Sequence, residues 1–307
     1  MEIENGESTR TVQRTFIPGT EWIYYKFYCG STTATVVLTE ILSPLMQRFL
    51  EEKWSTHWFF IRYHDPNPHL RFRIHLSDPK HLQQVTYLLT EKLQYFVEEG
   101  MIWNIQLDTY KREIERYGSQ TMSASENLFY RNSELVVDVS KLTPESSYKV
   151  CFAVLIMDQM LSQFEYDLEQ KIQFAQYHGE AFKSEFNVTP LLRKQLNKKY
   201  QAHRELLGQF MVPETAIDQN ILAFTSLVND YDKKCRNDIA FILHAYQNGQ
   251  PDVTLDSLIA SHVHMFINRY YEAQQRRFEM VCYDFLTRYY LAERGRQRHR
   301  TTLLQHQ

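Results

Sequence analysis

The residue types best suited to chemistry lie in residues 58–76, which we predict to form two strands joined by a turn at residues 65–68. In the second strand, successive side chains point to opposite faces. One face is apolar, and the other carries two imidazoles and two guanidiniums, from His69, Arg71, Arg73 and His75. Because these groups repel each other, the pattern predicts an anionic partner, which is either a set of surface carboxylates or a ligand.

Charged side chains are also dense after the fourth predicted strand, where Glu113, Glu115 and Arg116 precede Gly118. One interpretation is a group of solvent-exposed ion pairs, which contribute little. The other interpretation is that Arg116 points into the same cleft as Arg73, with an acidic side chain holding it in place. The pattern alone leaves both open.

A third candidate is the helical sequence SHVHMFINR, residues 261–269. His262 falls on the apolar stripe of this helix, and we predict that it is a packed core residue. His264 falls off the stripe and shares its face with Ser261 and Asn268, which predicts a histidine with a fixed tautomer, suited to general acid–base catalysis. A purely structural histidine is the alternative.

The sequence contains no known cofactor or metal motif. The two rings of a His-x-His pair on a helix diverge by roughly 200°, which disfavours a shared metal ion. There is no HExxH pair, glycine-rich dinucleotide loop, P-loop or GxSxG element. We therefore expect neither a metal nor a cofactor.

The composition is typical of a globular protein. The chain has 307 residues, a net charge of -3, 43% hydrophobic residues and only nine glycines and nine prolines. These values favour long helices and argue against direct nucleic-acid binding. The four cysteines have neither metal nor CxxC spacing and are typical of reduced thiols. Since there is no signal peptide and no apolar run of membrane-spanning length, we predict a cytoplasmic protein.

Residues 16–118 are predicted to form an α+β fold. Their patterns follow the order strand, helix, strand, strand, helix, strand, which is the split βαβ, ferredoxin-like order with both helices on one face of an antiparallel sheet. The predicted elements are residues 21–29, 31–52, the 58–76 hairpin, 77–99 and a last strand from 102 that runs on to 118. If the apolar face of the second hairpin strand meets the helices, Arg71 and Arg73 lie on the opposite face, where a cleft can form.

The rest of the chain is predicted to be almost wholly helical. A polar loop at residues 119–125 leads into helices at 126–139, 144–163, 165–182, 189–211, 217–247, 253–272 and 275–293. We expect residues 1–15 to be a flexible lead-in and residues 119–293 to pack on the sheet and complete the site. The basic tail, residues 294–307, is predicted to be a solvated helix end.

Three segments together resemble the C-terminal, glutamate-eliminating domain of class I lanthipeptide dehydratases, which also occurs in thiopeptide-type bacteriocin biosynthesis proteins. They are RTFIPGTEWIYYKFYCG, WFFIRYHDPNPHLRFRIH with EIERYG, and SHVHMFINR. The resemblance covers roughly residues 14–290, and RYHDPNPHLRFR is its most specific part. One departure is Gly118-Ser119, where the family has two glycines; it removes no reacting group.

The resemblance implies a reaction and a set of residues. In that family, a serine or threonine of a precursor peptide is esterified with glutamate from glutamyl-tRNA. The elimination domain then expels the glutamate and leaves dehydroalanine or dehydrobutyrine. By motif position, the resemblance implies catalytic roles for Arg73, Arg116 and His264. Positions that would line or brace the site fall on Arg62, His69, Arg71 and Glu113.

The resemblance also implies partners. We expect a standalone lyase that receives a glutamylated precursor peptide from a separate protein, which uses glutamyl-tRNA. A cyclase is a further expected partner, and the protein could form a homodimer. One alternative is the [4+2] pyridine-forming cyclase of thiopeptide biosynthesis, which resembles this domain. Another is a non-catalytic scaffold that binds the precursor peptide by strand addition at a sheet edge. The presence of Arg73, Arg116 and His264 together favours the lyase.

Overall fold

The computed structural model describes residues 12–142, 145–212, 218–249 and 251–305. Its main sheet is antiparallel and has the strand order β3-β4-β2-β5. With helices after β2 and β4, this order confirms the split βαβ arrangement and the α+β class. The strands are β1 (Thr15–Phe16), β2 (Trp22–Cys29), β3 (Ser55–Tyr63), β4 (His69–Leu76), β5 (Ile102–Leu107) and β6 (Tyr110–Lys111).

The helices of this part cover one face of the main sheet. Helix α1 (Ser31–Val36) continues through a π-helical segment (Val37–Leu42) into α2 (Ser43–Glu51), and α3 (Leu82–Glu98) follows β4. The Asp78 side chain accepts a hydrogen bond from the backbone N–H of Lys80 and so caps the turn that leads into α3. The apolar side chains of β4 are buried against these helices, which confirms the predicted alternation.

The chain after β5 differs from the prediction. The last strand ends at Leu107, and β6 pairs instead with β1, which begins at Thr15, the last residue of the predicted lead-in. A single helical turn, α4 (Ile114–Tyr117), follows, and α5 (Met122–Lys141) begins within the predicted polar loop. The β1–β6 pair joins segments about 95 residues apart in the chain, so local sequence patterns cannot reveal it. The first 11 residues of the lead-in lie outside the described part.

The helical part packs on the opposite side of the sheet and along the β3 edge. The last helix runs to Gln305, so the basic tail extends the helix predicted to end at residue 293. No helix in the described part of the chain is both long and apolar enough to cross a membrane. The helices are α6 (Ser146–Gln163), α7 (Leu168–Glu185), α8 (Pro190–Met211), α9 (Gln219–Gln247), α10 (Leu255–Tyr270) and α11 (Gln275–Gln305).

Side chains of the helical part cover the outer edge of β3. The Asn268 amide accepts from the backbone N–H of Arg62 at 2.9 Å and donates to its carbonyl at 2.8 Å. Phe60, two residues before Arg62 in β3, is bound in a similar way. Its carbonyl accepts from the Arg269 side chain, and its N–H donates to the Ser133 hydroxyl. These bonds satisfy backbone groups that an edge strand leaves open, and they join the sheet to α5 and α10.

We expect Asn268→Ala to lower the free energy of unfolding by about 2 kcal/mol, because two backbone groups of Arg62 lose their partner in a partly buried place. Chemical denaturation of the purified protein measures this change. The matched control is Asn104→Ala, at an exposed position of β5, which should alter stability far less. Equal stability of the two variants would contradict the role given to Asn268.

Candidate active site

Arg73 lies in a small cavity between the sheet and the helical part. The cavity has a volume of about 30 Å³, and its lining includes Glu113, Tyr117, Met265 and Arg269. This volume is about the share of one molecule in liquid water. In this state the cavity therefore admits one small group and does not enclose a whole glutamyl side chain.

The guanidinium of Arg73 packs among three aromatic rings. Its carbon atom lies 4.3 Å from the ring centre of Tyr24, 5.0 Å from that of Tyr110 and 5.2 Å from that of Phe59. Arg73 is only 8% exposed, and its Nε has no hydrogen-bond partner among the described residues. The ring faces stabilise the cation, and the unused donor leaves it able to bind an anion.

A buried network fixes one of these rings. The hydroxyl of Tyr110 donates to Glu126 at 2.7 Å, and Arg112 donates to both oxygens of the same carboxylate at 2.7 and 2.6 Å. Burial, together with the Glu126 carboxylate, raises the pKa of Tyr110 well above its ordinary value, so the phenol stays neutral. The network holds Tyr110 against Arg73, and no local sequence pattern predicted it.

A second guanidinium, that of Arg269, lines the same cavity. It is fully buried, donates to the carbonyl of Phe60 at 2.7 Å and to the Asn132 side chain at 3.2 Å, and burial lowers its pKa to about 10. Arg269 ends the SHVHMFINR segment but was not predicted as a site residue. With Arg73 it makes the cavity electropositive, which favours an anionic group.

Arg116 lies on the surface beside this cavity. Its side chain is 54% exposed and pairs with Glu113, whose carboxylate is 3.1 Å from the Arg116 Nε. Glu113 lines the cavity, whereas Arg116 lies outside the lining. The structure therefore places Glu113 in the lining of the Arg73 cavity and Arg116 at its rim. Arg116 is held there by its ion pair with Glu113, an acidic partner that the sequence predicted.

The departure at Gly118-Ser119 leaves the rim turn intact. Gly118 has a φ of 73°, a conformation that glycine adopts readily. The backbone N–H of Ser119 donates to Asp252 at 2.7 Å, and its hydroxyl donates to the same carboxylate. A serine at this position therefore ties the turn to the loop before α10, without removing a group from the cavity.

His264 is braced by Glu279 on the neighbouring helix α11. Its Nδ1 lies 2.8 Å from a carboxylate oxygen of Glu279, which is buried, while the imidazole is partly exposed. Since an ionised carboxylate only accepts hydrogen bonds, Nδ1 carries the proton and Nε2 is the free acceptor in the neutral ring. Asn268, expected to brace His264, binds the β3 edge instead, where its amide accepts one hydrogen bond and donates another.

The structure does not bring His264 into the cavity of Arg73. Met265 lines that cavity, and consecutive residues on a helix are about 100° apart around the axis, so His264 points to another side of α10. Its hydrogen-bond partner there is Glu279 on α11. Arg73 and His264 thus lie on different sides of α10, and Met265, the residue after His264, faces the cavity of Arg73.

His69 and Arg71 lie on the same sheet face as Arg73, where His69 is buried and Arg71 is partly exposed. Arg71 stacks 3.4 Å from the ring centre of Tyr63 and donates to His69 Nε2 at 3.1 Å. His69 Nδ1 is 2.8 Å from the carbonyl of Asn67. Burial lowers the pKa of His69, so this ring is neutral and receives the Arg71 hydrogen bond.

Arg62, by contrast, lies on the opposite face of the sheet. It pairs with Leu70 in the β3–β4 register, so its side chain points to the face that α1 covers. The sequence could not show this, because Trp58, Phe59 and Phe60 are apolar in a row and β3 lacks a clear alternation. Arg62 and Arg73 therefore belong to two different clefts.

His262 is buried between the rings of Tyr117 and Phe129, as predicted. Burial, assisted by the charge of Arg269, lowers the pKa of His262 to about 3. The unfolded chain therefore binds the extra proton between about pH 6.5 and pH 3, and stability is lost as the pH falls through this window.

Lowering the pH from 7.5 to 5 should decrease the free energy of unfolding of the parent. In His262→Gln, which lacks this titration, the decrease should be smaller by about 2 kcal/mol. Chemical denaturation at the two pH values measures the difference. His244→Gln, on the exposed face of α9, is the control and should keep the parental dependence. An unchanged pH dependence in His262→Gln would contradict the assignment.

Known proteins are similar to this chain in sequence and in fold. The sequence profile described as "Lantibiotic biosynthesis dehydratase C-term" matches residues 22–290. Subtilin biosynthesis protein SpaB of Bacillus subtilis is 26% identical over 176 residues, 55% of this chain and 17% of SpaB. Nisin biosynthesis protein NisB of Lactococcus lactis subsp. lactis is 29% identical over 136 residues, 44% of this chain and 13% of NisB. The chain thus matches less than a fifth of the length of each relative.

Solved structures show the same fold at low identity. The tRNA-dependent lantibiotic dehydratase MibB from Microbispora sp. 107891 superposes with a TM-score of 0.69 and 17% identity, over 92% of this chain and 29% of MibB. TsrL gives 0.63 at 13% identity, and the pyridine synthase TbtD from thiomuracin biosynthesis gives 0.62 at 11%. The match covers 90% and 87% of this chain and 96% of each of those two chains. From the profile match over most of its length, the chain belongs to the family of lantibiotic biosynthesis dehydratase C-terminal domains.

Proposed function

We propose that this protein is a lyase that removes glutamate from glutamylated serine or threonine residues of a ribosomally made precursor peptide. In this reaction a base takes the Cα proton, the Cα–Cβ double bond forms, and the Cβ–O bond breaks. Glutamate leaves as a carboxylate, and the peptide retains dehydroalanine or dehydrobutyrine. Negative charge develops on the amide oxygen next to Cα and on the departing carboxylate.

The observation that carries this proposal is the buried guanidinium of Arg73, which has an unused donor in an electropositive cavity. In a desolvated place, a fixed donor aimed at developing negative charge is worth about 3–4 kcal/mol of transition-state stabilisation. Arg116 at the rim supplies the second guanidinium, and its exposed side chain has room to turn towards a bound peptide. Arg71, on the adjoining part of the same sheet face, would receive the peptide backbone or its acidic groups, and His69 would hold its guanidinium in place.

His264 is our proposed proton carrier. The Glu279 carboxylate fixes the tautomer that leaves Nε2 free, and it stabilises the imidazolium that forms when Nε2 accepts a proton. A peptide that reaches both His264 and Arg73 has to lie across α10 near Met265. The small volume of the Arg73 cavity implies that the charged oxygen enters it while the rest of the peptide stays outside.

Mass spectrometry of a glutamylated precursor peptide, incubated with the purified protein, tests the proposal. Conversion of the adduct to the dehydrated peptide, with release of free glutamate, is the expected result. An adduct that stays intact under conditions where the protein is folded would overturn it. The unmodified precursor peptide is the control and should remain unchanged, because hydroxide is a poor leaving group.

The second candidate is a [4+2] pyridine-forming cyclase of thiopeptide biosynthesis. It is favoured by one observation, the match of this fold to almost the whole length of TsrL and of the pyridine synthase TbtD. A cyclase acts on a peptide that already carries dehydroalanines, and no glutamate leaves. Incubation with such a peptide therefore separates the two candidates, since only the cyclase would form the six-membered ring.

Partners follow from the proposed reaction. Glutamylation with glutamyl-tRNA must supply the modified peptide, and a cyclase would consume the dehydrated product. Since glutamyl-tRNA is a cytoplasmic substrate, the proposed reaction would take place in the cytoplasm. Co-purification with the tagged precursor peptide tests the peptide partner directly, and size-exclusion chromatography tests the homodimer.

A further inference from the structure

A second cleft lies at the hairpin end of the sheet, on the side away from Arg73. It has a volume of about 430 Å³, and its lining includes Ser31, Arg62, His64, Asn268, Glu272 and Ala273. This volume is within the range of sites for small molecules, roughly 300–1,000 Å³. The cleft lies between the start of α1, the β3–β4 turn and the end of α10. His69 borders it, but Arg73, Arg116 and His264 are not among its lining residues.

Arg62 carries a buried charge that no acidic side chain in the described part of the chain contacts directly. It is 7% exposed, its Nε donates to the carbonyl of Arg269 at 3.1 Å, and its Nη2 donates to the hydroxyl of Thr35 at 3.1 Å. Both acceptors are uncharged, and Nη1 has no hydrogen-bond partner among the described residues. A buried cation with an unused donor is costly, so the site gains free energy when an anion binds.

The surroundings of Arg62 select the type of anion. Helical structure begins at this cleft and continues from residue 31 to residue 51, and its N-cap, Gly30, provides no side-chain cap. The unpaired N–H groups at a helix start also favour an anion. Glu272 accepts from the Thr35 hydroxyl at 3.3 Å and adds a negative charge to the same cleft. One guanidinium opposed by one carboxylate suits a monoanion and disfavours a phosphate dianion.

We propose that this cleft is a second binding site, separate from the Arg73 cavity, that holds a carboxylate on Arg62. The carboxylate has two sources, a free amino acid such as glutamate or an acidic side chain of a peptide. Glu272 distinguishes them, because it attracts the ammonium group of a free amino acid and repels a carboxylate that has no ammonium group beside it. The site does not depend on the elimination reaction, so it is tested by binding alone.

Isothermal titration calorimetry measures binding of three probes to the full chain: L-glutamate, acetyl-Gly-Glu-Gly-amide and acetyl-Gly-Gln-Gly-amide. At least one of the two carboxylate probes should bind, and the neutral glutamine peptide should not. Glu272→Gln should weaken glutamate if the source is the free amino acid, and should tighten the acidic peptide if the source is a side chain. The absence of binding by both carboxylate probes at concentrations on the order of 10 mM would overturn the proposal.

Three variants locate the bound carboxylate. Arg62→Gln should weaken binding at least about tenfold, as expected for a lost charged hydrogen bond. Because Arg62 also contacts Thr35 and α10, Ala273→Trp provides a second variant, which fills the cleft from an exposed position and leaves those contacts in place. Ala202→Trp, on the exposed face of α8, is its matched control and should bind as the parent does.

Arg73→Lys separates this site from the proposed catalytic cavity. It should leave the affinity for the carboxylate probes unchanged. Loss of binding in Arg73→Lys, with parental binding in Ala273→Trp, would place the carboxylate in the other cavity and overturn the proposal. Failure of the elimination assay has no bearing on this result, because no turnover is measured.

Discussion

Arg73→Lys is expected to lower the rate of glutamate loss by about 100- to 1,000-fold and to leave the glutamylated peptide to accumulate. A lysine keeps the positive charge but loses the planar set of donors and the stacking on Tyr24 and Tyr110. Single-turnover kinetics, followed by mass spectrometry, measure the chemical step without product release.

The matched control for this substitution is Arg48→Lys, on the exposed side of α2 and away from the cavity. It should retain the parental rate. A parental rate in Arg73→Lys would show that charge alone is sufficient and would contradict a role for the guanidinium donors. Thermal unfolding of both variants checks that the loss of rate is not a loss of fold.

His264→Ala is expected to lower the same rate by about 100- to 10,000-fold, because the variant has no side chain to accept the Cα proton. Added imidazole should restore part of the rate, since the deleted ring leaves space at a partly exposed position. A full rate in His264→Ala would contradict the proton-carrying role. A loss of rate that added imidazole does not restore would contradict it as well.

Glu279→Gln tests the brace on His264. Glutamine keeps the size of the side chain but removes the charge that stabilises the imidazolium, so kcat should fall while KM stays near the parental value. The decrease should be smaller than that in His264→Ala. Glu169→Gln, at a position of α7 whose side chain is more than half exposed, is the control and should have parental kinetics.

The architecture of the sheet could be predicted because its signals are local. The alternation in β4 and the helical spacing after Gly30 depend only on neighbouring residues, and both agree with the structure. The apolar alternation of β4 therefore predicted correctly that Arg71 and Arg73 lie on the sheet face opposite the helices α1, α2 and α3. The helices of the second part were also predicted. Most of their ends are displaced by a few residues, and the last helix continues from the predicted end at residue 293 to Gln305.

The contacts that complete the candidate site depend on distant parts of the chain. Glu279 reaches His264 from another helix, and Glu126 orients Tyr110 from α5. No spacing within one element reveals such partners. Arg62 shows the same limit within a strand, since an apolar run hides which face each side chain takes. The position of a residue in a sequence motif therefore does not show which cavity its side chain lines in the folded protein.

The bonds from Asn268 and Arg269 to the β3 edge have a consequence for how the chain can be divided. A fragment that ends near residue 118 would lose these partners and expose an unprotected strand beside a basic, aromatic face. Such a fragment is expected to self-associate. The segment that carries the proposed proton carrier thus also protects the sheet against aggregation, so substitutions within it affect solubility and catalysis together.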